Sequence, residues 1–431
     1  MAVSTRPLAV ALAEIAGADA VLDDPATLAA AAMDGVAPRW IVRPPSAERL
    51  AAVIALAADE HLAVVPRGSG SALELGRPPA RVDLIVDTTG LDRILAYSPA
   101  DQTIDVQAGV TLGALTAHVA RHGQMLALDP AGGRGRTLGG LVAAAASGPL
   151  RARYGTLRDL VLGVRFVQAD GVLTWGGARV VKSVTGYDVP KLMVGALGTL
   201  GLLVELTLRL HPVPAVEETR LAGFATAEAA GGFVAALLDT SVQCSRLELL
   251  SPAASTACGG AEAWSVAIAI GSVAEAVRAQ MSVVDALVAR GSGQTRPAPA
   301  DVWSRYGAAM TAGDLGLRVG TLPSEVSRAA REAIATLGAA AAVGACATAG
   351  VLDVRASGVG VAEAEAAIRR LRASVAPTGG SVVIQAAPRA LRERVDPWGP
   401  IEPGALALMT AVKRQFDPAG VLNPGRFVGG L

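Results

Sequence analysis

The feature that most constrains this chain is a glycine-rich loop that directly follows an apolar, strand-like run. The run Leu62-Ala63-Val64-Val65 ends at Pro66 and opens into Arg67-Gly68-Ser69-Gly70-Ser71. Small side chains leave backbone N–H groups uncovered, and such groups can converge on phosphate oxygens. The spacing is not that of a Rossmann turn, because no glycine opens a helix at the required position. Alone, the loop is either an anion-binding loop or an ordinary surface turn.

A second glycine-rich region lies downstream. It begins with Asp129-Pro130-Ala131-Gly132-Gly133, continues through Thr137-Leu138-Gly139-Gly140, and reaches Ser147-Gly148-Pro149. We predict a loop, then a helix of very small residues, then a break at Gly148-Pro149. Such a helix lets a flat ligand or another backbone come close. The alternative is a tightly packed core helix.

Composition narrows the class of protein. With 431 residues, 52% hydrophobic and 18% charged, the chain predicts two or three domains and a large core. Lys plus Arg equals Asp plus Glu, at 38 each, and aromatics are only 3%, which argues against nucleic-acid binding. The three cysteines, Cys244, Cys258 and Cys346, are far apart, so we expect neither an iron–sulfur cluster nor a disulfide framework. A reducing, cytoplasmic location fits this cysteine usage.

Two apolar stretches are candidates for targeting or membrane segments. Near the N-terminus, Glu14 interrupts the apolar run, and Leu8, Leu12 and Ile15 fit one face of a short helix better than a signal peptide. Residues 333–352 are uncharged but consist mostly of alanine, glycine and threonine. We therefore predict a helix end, a turn and a buried strand there, and no membrane span.

Apolar periodicity predicts α/β alternation in the first half. Strands are expected at 40–43, 62–65, 82–87 and 103–108, with helices at 46–61, capped by Ser46, and at 111–122. Asp170-Gly171 between two apolar runs predicts a hairpin. The order suggests small βαβ units, and His211-Pro212-Val213-Pro214 predicts a linker.

The second half repeats a strand–helix–strand order. Strands are expected at 246–250, 264–270, 315–319, 351–356 and 381–386, and helices at 272–290, 324–337 and 361–376, with Ser324 as the cap of the second helix. This order suggests a ferredoxin-like, antiparallel α+β domain. A last helix, 405–416, ends at Asp417-Pro418.

Several short motifs occur in a fixed order along the chain. They are Pro66-Arg67-Gly68-Ser69-Gly70-Ser71, Thr137-Leu138-Gly139-Gly140, Ser147-Gly148-Pro149, Tyr154-Gly155, Gly198-Thr199-Leu200-Gly201 and, near the C-terminus, Asp417-Pro418 and Leu422-Asn423-Pro424-Gly425-Arg426. Over residues 42–214 this order resembles the vanillyl-alcohol-oxidase-type (PCMH-type) FAD-binding flavoproteins. Among these flavoproteins, the E-type FAD-binding subunits of bacterial glycolate oxidases look most similar in two stretches, Val181-Lys182-Ser183-Val184-Thr185-Gly186-Tyr187-Asp188 and Ser147-Gly148-Pro149-Leu150-Arg151. Residues 215–400 resemble those subunits only loosely.

The resemblance implies an α+β fold. A PCMH-type FAD-binding domain of two α/β subdomains would be followed by a ferredoxin-like antiparallel α+β cap domain. The expected boundaries are an N-terminal helical segment at 1–34, the FAD-binding domain at 35–214, the cap or substrate-type domain at 215–402, and a C-terminal helix and tail at 403–431 that return to the FAD-binding domain.

The resemblance also implies which residues hold FAD. The backbone of the first loop would wrap the pyrophosphate, later residues would line the flavin and its ribityl and phosphate parts, Leu203 would lie near the adenine, and Asn423 and Arg426 would close over the isoalloxazine. Some members attach the flavin to a histidine in the first loop, but Gly70 and Ser71 stand there and the nearest histidine is His61, so we expect noncovalent FAD. The implied set is Arg67, Gly68, Ser69, Gly70, Ser71, Asp129, Pro130, Thr137, Gly139, Gly140, Ala143, Ser147, Gly148, Gly155, Leu203, Asn423 and Arg426.

The second domain lacks the expected catalytic base. Oxidation of a 2-hydroxy acid needs a hydride acceptor, a cation for the carboxylate and a base for the hydroxyl proton. Catalytic subunits that resemble this chain carry a histidine-rich stretch, where this sequence has Ala345-Cys346-Ala347-Thr348-Ala349-Gly350. The four histidines, His61, His118, His122 and His211, all lie in the first half, and no metal ligand set is expected.

Two residues remain as catalytic candidates. Arg318, on a predicted strand, could bind a carboxylate bidentately, or it could form a salt bridge with an acidic neighbour. Tyr187, in a Gly-Tyr-Asp turn, is the weaker candidate because such a tyrosine more often packs structurally.

The resemblance leads to one functional expectation with two alternatives. The chain would be the noncovalent FAD-binding subunit of a glycolate-oxidase-like complex, with a second FAD-containing catalytic subunit and an iron–sulfur subunit as partners. Association with the inner face of the membrane would come only through those partners. The alternatives are a self-sufficient FAD-dependent 2-hydroxy acid dehydrogenase and a non-enzymatic scaffold with a degenerate flavin site.

Overall fold

A computed structural model describes residues 7–179 and 186–431. The motif at Val181-Lys182-Ser183-Val184-Thr185 therefore lies outside the described residues. In the first half the strands are β1 (Val21–Leu22), β2 (Trp40–Val42), β3 (Val64–Arg67), β4 (Leu84–Asp87), β5 (Ile94–Ser98), β6 (Thr103–Gln107), β7 (Gln124–Met125), β8 (Val161–Val167), β9 (Leu173–Gly177), β10 (Leu202–Arg209) and β11 (His211–Pro212). The helices there are α1 (Leu8–Ala16), α2 (Pro25–Ala30), α3 (Ala47–Asp59), α4 (Leu112–Val119), α5 (Leu138–Ala143), α6 (Arg151–Tyr154), α7 (Leu157–Leu160) and α8 (Val189–Met193).

The second half contains longer elements. Its strands are β12 (Val216–Phe224), β13 (Arg246–Leu250), β14 (Trp264–Ser272), β15 (Gln294–Pro297), β16 (Leu315–Gly320), β17 (Ala342–Cys346), β18 (Val351–Ala356) and β19 (Ser381–Ala386). Its helices are α9 (Ala227–Leu238), α10 (Pro252–Ala257), α11 (Ala274–Arg290), α12 (Val302–Ala309), α13 (Val326–Leu337), α14 (Val361–Val375), α15 (Arg389–Arg394) and α16 (Pro403–Phe416).

The first sheet is a βαβ unit with the strand order β1-β2-β4-β3. Strands β2, β4 and β3 run parallel, and α3 connects β2 to β3. The predicted cap is confirmed, since the Ser46 hydroxyl accepts a hydrogen bond from Arg49 N at 3.2 Å. The helix buries Leu50, Val53 and Ile54 against the sheet, as its apolar spacing predicts.

The second sheet differs from the prediction of small βαβ units. Its order is β5-β6-β10-β8-β9, and every neighbouring pair is antiparallel. The physical reason is the short β5–β6 and β8–β9 connections, because parallel strands need a crossover of a dozen or more residues. The predicted hairpin at Asp170-Gly171 is confirmed, and Gly171 has φ +83°.

The third sheet is antiparallel, with the order β15-β12-β14-β13-β17-β18-β16-β19. Helices α9, α11, α13 and α14 cover one face, where Leu317 and Val354 belong to the largest apolar core. The opposite face carries Arg318 and Asp353, since side chains alternate across a strand. The antiparallel α+β prediction is therefore confirmed.

Some local predictions in this half need correction. Ser324 is not an N-cap, because Pro323–Glu325 forms a 3₁₀ turn and the following helix has no side-chain cap hydrogen bond. Strand β12 and helix α9 were not predicted at all. Residues 333–352 form the predicted helix end, turn and buried strand. Within residues 7–179 and 186–431, no helix has both the length and the apolar character that crossing a bilayer requires.

The chain finally returns to the first sheet. After α16, Val64 N donates to Val421 O at 2.8 Å, and Asn423 N donates to Val64 O at 2.7 Å. The buried Lys413 ammonium fixes this return by donating to Thr199 O at 2.8 Å and Leu422 O at 2.9 Å. The tail is thus held beside β3, directly before the glycine-rich loop.

Candidate functional site

A cleft of about 820 Å³ opens beside the loop that follows β3; we call it the glycine cleft. The loop, α5, the segment after α8, the start of β10 and the C-terminal tail all contribute to it. Its lining residues include Pro66, Arg67, Gly68, Ser69, Gly70, Ser71, Ala72, Leu73, Thr88, Gly139, Gly140, Ala143, Ala144, Met193, Ala196, Leu197, Gly198, Gly201, Leu202, Leu203, Asn423 and Arg426.

The loop presents a run of uncovered backbone amides. In the described part of the chain, the N–H groups of residues 68–72 donate no hydrogen bond. Gly70 has φ +77°, a conformation that favours glycine. At Gly68, an added Cβ would collide with the hydroxyl of Thr137, at the start of α5. The small residues therefore let the loop lie against α5 with its amides free.

Helix α5 contains small residues, and one of them, Gly139, lies between the backbone at Ala108 and the glycine cleft. Gly139 N donates to Ala108 O at 2.8 Å, and a Cβ on Gly139 would lie 2.7 Å from Ala108 Cβ. Gly139 also lines the glycine cleft. Gly139 is thus tightly packed on one side and borders the open space of the glycine cleft on the other.

The tail closes one side of the glycine cleft. Asn423 Nδ2 donates to Leu197 O at 2.7 Å, and Arg426 donates to Leu75 O at 3.0 Å and Arg77 O at 3.2 Å. Burial lowers the pKa of the Arg426 guanidinium to about 10. Both side chains have fixed positions because carbonyl groups from distant segments hold them.

The residues of the glycine cleft fit FAD. Uncovered amides suit the negative charge of a pyrophosphate, and apolar side chains such as Leu203 and Met193 suit flat rings. Thr137 does not line the glycine cleft, but its Oγ1 lies beside Gly68 of the loop and is buried without a hydrogen-bond partner in the described residues. The Arg67 guanidinium turns away, since Nη2 lies 3.0 Å from Asp87 Oδ2, so Arg67 offers its backbone rather than its charge.

The predicted FAD residues divide into three groups. Those that line the glycine cleft are Arg67, Gly68, Ser69, Gly70, Ser71, Gly139, Gly140, Ala143, Leu203, Asn423 and Arg426. Ser147 and Gly148 line a second cleft instead. Asp129, Pro130, Thr137 and Gly155 line neither cleft.

Asp129 and Gly155 have structural surroundings that account for their positions. Asp129 accepts from Arg246 Nε at 2.8 Å and from Leu150 N at 2.9 Å, and burial raises the pKa of its carboxyl. Gly155 has φ +78° at the end of α6, in front of Asp159, which takes part in the capping box of the next helix. Their predicted contact with the cofactor gains no support from these positions.

The second cleft measures about 800 Å³; we call it the arginine cleft. It lies between the first half and the open face of the third sheet, and it shares Ser71, Ala72 and Ala144 with the glycine cleft. The two clefts therefore adjoin. The other lining residues are Leu75, Ala131, Gly132, Arg136, Ala146, Ser147, Gly148, Arg151, Tyr306, Met310, Thr311, Arg318, Asp353, Arg355 and Gln385.

Asp353 is the acidic residue among those that line the arginine cleft. Its Oδ1 accepts from Arg318 Nε at 2.9 Å, and its Oδ2 lies 3.3 Å from Arg151 Nη2. Burial works against the charged form, but Arg318 and Arg151 outweigh it and hold the pKa of Asp353 below its usual value. The predicted cation, Arg318, thus lies in a cleft beside the glycine cleft, and it also makes the alternative salt bridge.

A buried acid lies behind the arginine cleft. Glu248, on β13, is fully buried, and the hydroxyl of Tyr306 donates to its Oε2 at 2.8 Å. Its Oε1 has no partner in the described residues. Burial raises the pKa of Glu248 to about 8, although the positive charge of Arg151 opposes this shift. Burial also raises the pKa of Tyr306 well above its usual value.

Sequence reasoning missed the pair of Tyr306 and Glu248. A signal was present, because Glu248 interrupts the apolar strand Arg246-Leu247-Glu248-Leu249-Leu250. In a strand, Glu248 points to the face opposite Leu247 and Leu249, which lie in the helix-covered core. A charged residue in such a strand indicates a polar site on the other face of the sheet.

The other catalytic candidates have different surroundings. Tyr187 is 96% exposed and lines neither cleft, so its position gives the predicted catalytic role no support. None of the histidines lines either cleft, and the rings of His118 and His122 pack against Tyr97.

Cys346 pairs with Glu248 across the sheet, and burial raises the pKa of its thiol to about 11. Among residues 7–179 and 186–431, no cluster of His, Cys, Asp and Glu could hold a metal ion.

Two protein families match parts of this chain. Residues 38–177 match the family described as "FAD binding domain", and residues 400–427 match "FAD linked oxidases, C-terminal domain". The first match covers the loop, α5 and the strands from β2 to β9. The second covers α16 and the tail with Asn423 and Arg426.

Curated relatives match about half of the chain or less. The mitochondrial D-lactate dehydrogenase [cytochrome] of Arabidopsis thaliana is 30% identical over 213 residues, which are 49% of this chain and 37% of that protein. The glycolate oxidase subunit GlcD of Bacillus subtilis is 29% identical over 213 residues, 49% of this chain and 45% of that protein. The D-2-hydroxyglutarate dehydrogenase of Xanthomonas citri pv. viticola is 36% identical over 177 residues, 41% of this chain and 38% of that protein. The chain thus spans less than half the length of these relatives.

Solved structures share the fold over nearly the whole chain. An alkyldihydroxyacetonephosphate synthase superposes with a TM-score of 0.75 at 17% identity, over 98% of this chain and 86% of that one. A p-cresol methylhydroxylase superposes with a TM-score of 0.73 at 17% identity, over 97% of this chain and 95% of that one. Together with the two family matches, these superpositions show that the chain has the fold of PCMH-type FAD-binding flavoproteins.

Proposed function

We propose that this chain is the noncovalent FAD-binding subunit of a 2-hydroxy acid oxidase or dehydrogenase complex. The observation that carries the proposal is the arginine cleft, which adjoins the glycine cleft and has Arg318 in its lining. A cation beside a flavin site suits an anionic substrate. The names of the relatives fit, since D-lactate, glycolate and D-2-hydroxyglutarate are all 2-hydroxy acids.

The residues of the glycine cleft have distinct roles in this proposal. Bound FAD supplies the two-electron acceptor that oxidation of an alcohol requires. The amides of residues 68–72 hold the pyrophosphate, Leu203 lies beside the adenine, and Asn423 and Arg426 hold the ring system from the tail. Gly70 and Ser71 stand where a covalent attachment would need a histidine.

The subunit role rests on what the arginine cleft lacks. Among the residues that the structure describes, neither cleft has a histidine in its lining, so the arginine cleft lacks the usual base for the hydroxyl proton. We therefore propose that a second FAD-containing subunit oxidises the substrate and that an iron–sulfur subunit carries electrons onward. GlcD, one of the relatives, is by its name a subunit of a glycolate oxidase. An association with the membrane would depend on these partners.

The second candidate function, a self-sufficient dehydrogenase, is favoured by the hydrogen bond from Tyr306 to Glu248. Tyr306 lines the arginine cleft, and its hydroxyl donates a hydrogen bond to Glu248. Where Glu248 is ionised, at a pH above its pKa of about 8, a substrate hydroxyl could pass its proton to Tyr306 Oη while Tyr306 passes its own proton to the Glu248 carboxylate. This relay conserves protons and leaves the alkoxide oxygen ready to become a carbonyl as the substrate loses two electrons.

An anaerobic titration distinguishes the candidates. The purified chain is saturated with FAD, and glycolate or D-lactate is added while the flavin absorbance is followed. The subunit proposal expects a yellow protein that stays yellow until the partner subunits are added. Rapid bleaching of the chain alone would overturn that proposal and establish the self-sufficient dehydrogenase. A folded chain that takes up no FAD would overturn both and favour the scaffold alternative.

A further inference from the structure

We propose that the arginine cleft binds a ligand with two separate carboxylates, so that the 2-hydroxy acid held by this chain is a dicarboxylic one. The inference rests on the proposed function, whose substrate class it specifies. It is carried by the distribution of charge and hydrogen-bond partners in the arginine cleft.

The lining carries more positive than negative charge. Among the described residues, four arginines line the arginine cleft, whereas Asp353 is the one acid in the lining and Glu248 lies behind it. Both oxygens of Asp353 already accept from arginine, one from Arg318 and one from Arg151. A single aspartate shared by two guanidinium groups leaves part of their charge uncompensated.

Arg136 supplies a third cation without an acid partner. Its Nε donates to Ser71 Oγ at 3.0 Å, and its Nη1 donates to Ala131 O at 2.9 Å. Both acceptors are neutral groups, and no ion pair of Arg136 occurs among the described residues. Burial and the charge of Arg318 lower the pKa of Arg136. An anion in the arginine cleft would offset both effects by stabilising the charged form of Arg136.

Arg355 supplies a fourth cation at a different point. Neither a hydrogen bond nor a salt bridge of Arg355 occurs in residues 7–179 and 186–431, although it lies in the field of Asp353 and of the exposed Glu74. In the register of β16 and β18, Arg318 is opposite Asp353, and Arg355 is opposite Gly316. Because Gly316 has no side chain, the Arg355 guanidinium lies over it.

The spacing of the cations favours two anionic groups over one. Arg318 and Arg355 are diagonal neighbours on one sheet face, a relation that separates side-chain origins by about 7–8 Å. A carboxylate that binds Arg318 leaves Arg355 free for a second carboxylate further along the sheet. A compact dianion such as phosphate would have to draw both guanidinium groups to one point.

The test uses the full chain saturated with FAD and ligands that cannot be oxidised. Calorimetry compares succinate with propionate, which is succinate without its second carboxylate, and with inorganic phosphate. We expect succinate to bind about tenfold to a hundredfold more tightly than propionate, which corresponds to one further charged hydrogen-bonded contact. Arg355→Gln should remove this advantage and leave propionate binding within about twofold.

Controls keep the test independent of folding and of turnover. Arg278→Gln, in an exposed pair with Glu275, should leave both affinities unchanged, and Arg355→Lys should retain part of the advantage if Arg355→Gln unfolds. Equal affinity for succinate and propionate, tighter binding of phosphate than of succinate, or an unaltered advantage in Arg355→Gln would each overturn the inference. Because binding needs no turnover, tight succinate binding without any flavin reduction by 2-hydroxy acids would contradict the self-sufficient dehydrogenase alone.

Discussion

The hydroxyl of Tyr306 donates a hydrogen bond to Oε2 of the buried Glu248 side chain across 2.8 Å. This contact joins helix α12 to the open face of the third sheet. We expect Tyr306→Phe to lower the free energy of unfolding by about 1–3 kcal/mol, because it leaves a buried acceptor without its partner. Urea denaturation measures the change. Tyr154→Phe is the matched control, since the Tyr154 hydroxyl makes no hydrogen bond within the described residues; equal losses in both variants would contradict the assignment.

The pKa of Glu248 makes stability depend on pH. Burial raises this pKa to about 8 in the folded chain, against a value of 4.5 without burial. The folded state therefore retains a proton that the unfolded state loses, so the contribution of Glu248 is fully present below pH 4.5 and is lost as pH rises through about 8.

Glu248→Gln should remove this dependence, because glutamine stays neutral and can still accept from Tyr306. We expect the unfolding free energy of the wild type, relative to Glu248→Gln, to fall between about pH 5 and pH 8 by up to ~1.4 kcal/mol per pH unit. Denaturation curves at several pH values test this. Parallel pH profiles of the two proteins would show that Glu248 ionises normally.

The glycine-rich loop should tolerate no side chain at its contact with α5. We expect Gly68→Ala to weaken FAD binding at least about tenfold, or about 1.4 kcal/mol, because the new Cβ collides with the Thr137 hydroxyl and moves the loop. Gly135→Ala is the control, since nothing lies within 4 Å of its added Cβ. Titration of the apoprotein with FAD, followed by flavin fluorescence, gives both affinities; equal values would show that the loop does not hold the cofactor.

The Lys413 ammonium should hold the tail in place. Its replacement in Lys413→Met leaves Asp417 buried without its cation, and removing one member of a buried pair costs about 3–5 kcal/mol. Burial lowers the pKa of Lys413, and Asp417 opposes this shift. Thermal unfolding of the apoprotein measures the loss. Lys191→Met, which breaks a partly exposed pair with Asp188, should leave the unfolding temperature nearly unchanged.

The glycine cleft was largely predictable from the sequence because its chemistry is local. Glycines and small residues near Gly68 and Gly139 stand in short motifs, and their order along the chain carries the resemblance. The antiparallel second sheet was not predicted, since the apolar runs of β5 and β10 do not specify which strand they pair with.

The arginine cleft could not be assembled from motifs. Arg136, Arg151, Arg318 and Arg355 come from four separate segments, and the register of β16 with β18 brings the last two together. The alternation of Asp353 and Arg355 with apolar neighbours in β18 was a local signal of a polar sheet face. Which loop of the first half covers that face depends on tertiary packing.

The most direct test of the account is the fate of flavin when the purified chain is denatured. The chain is saturated with FAD, freed of excess cofactor and precipitated with acid. We predict a yellow protein that releases about one FAD per chain into the supernatant, as a noncovalent glycine cleft requires. A chain that retains no flavin, or flavin that stays with the precipitated protein, would contradict the account.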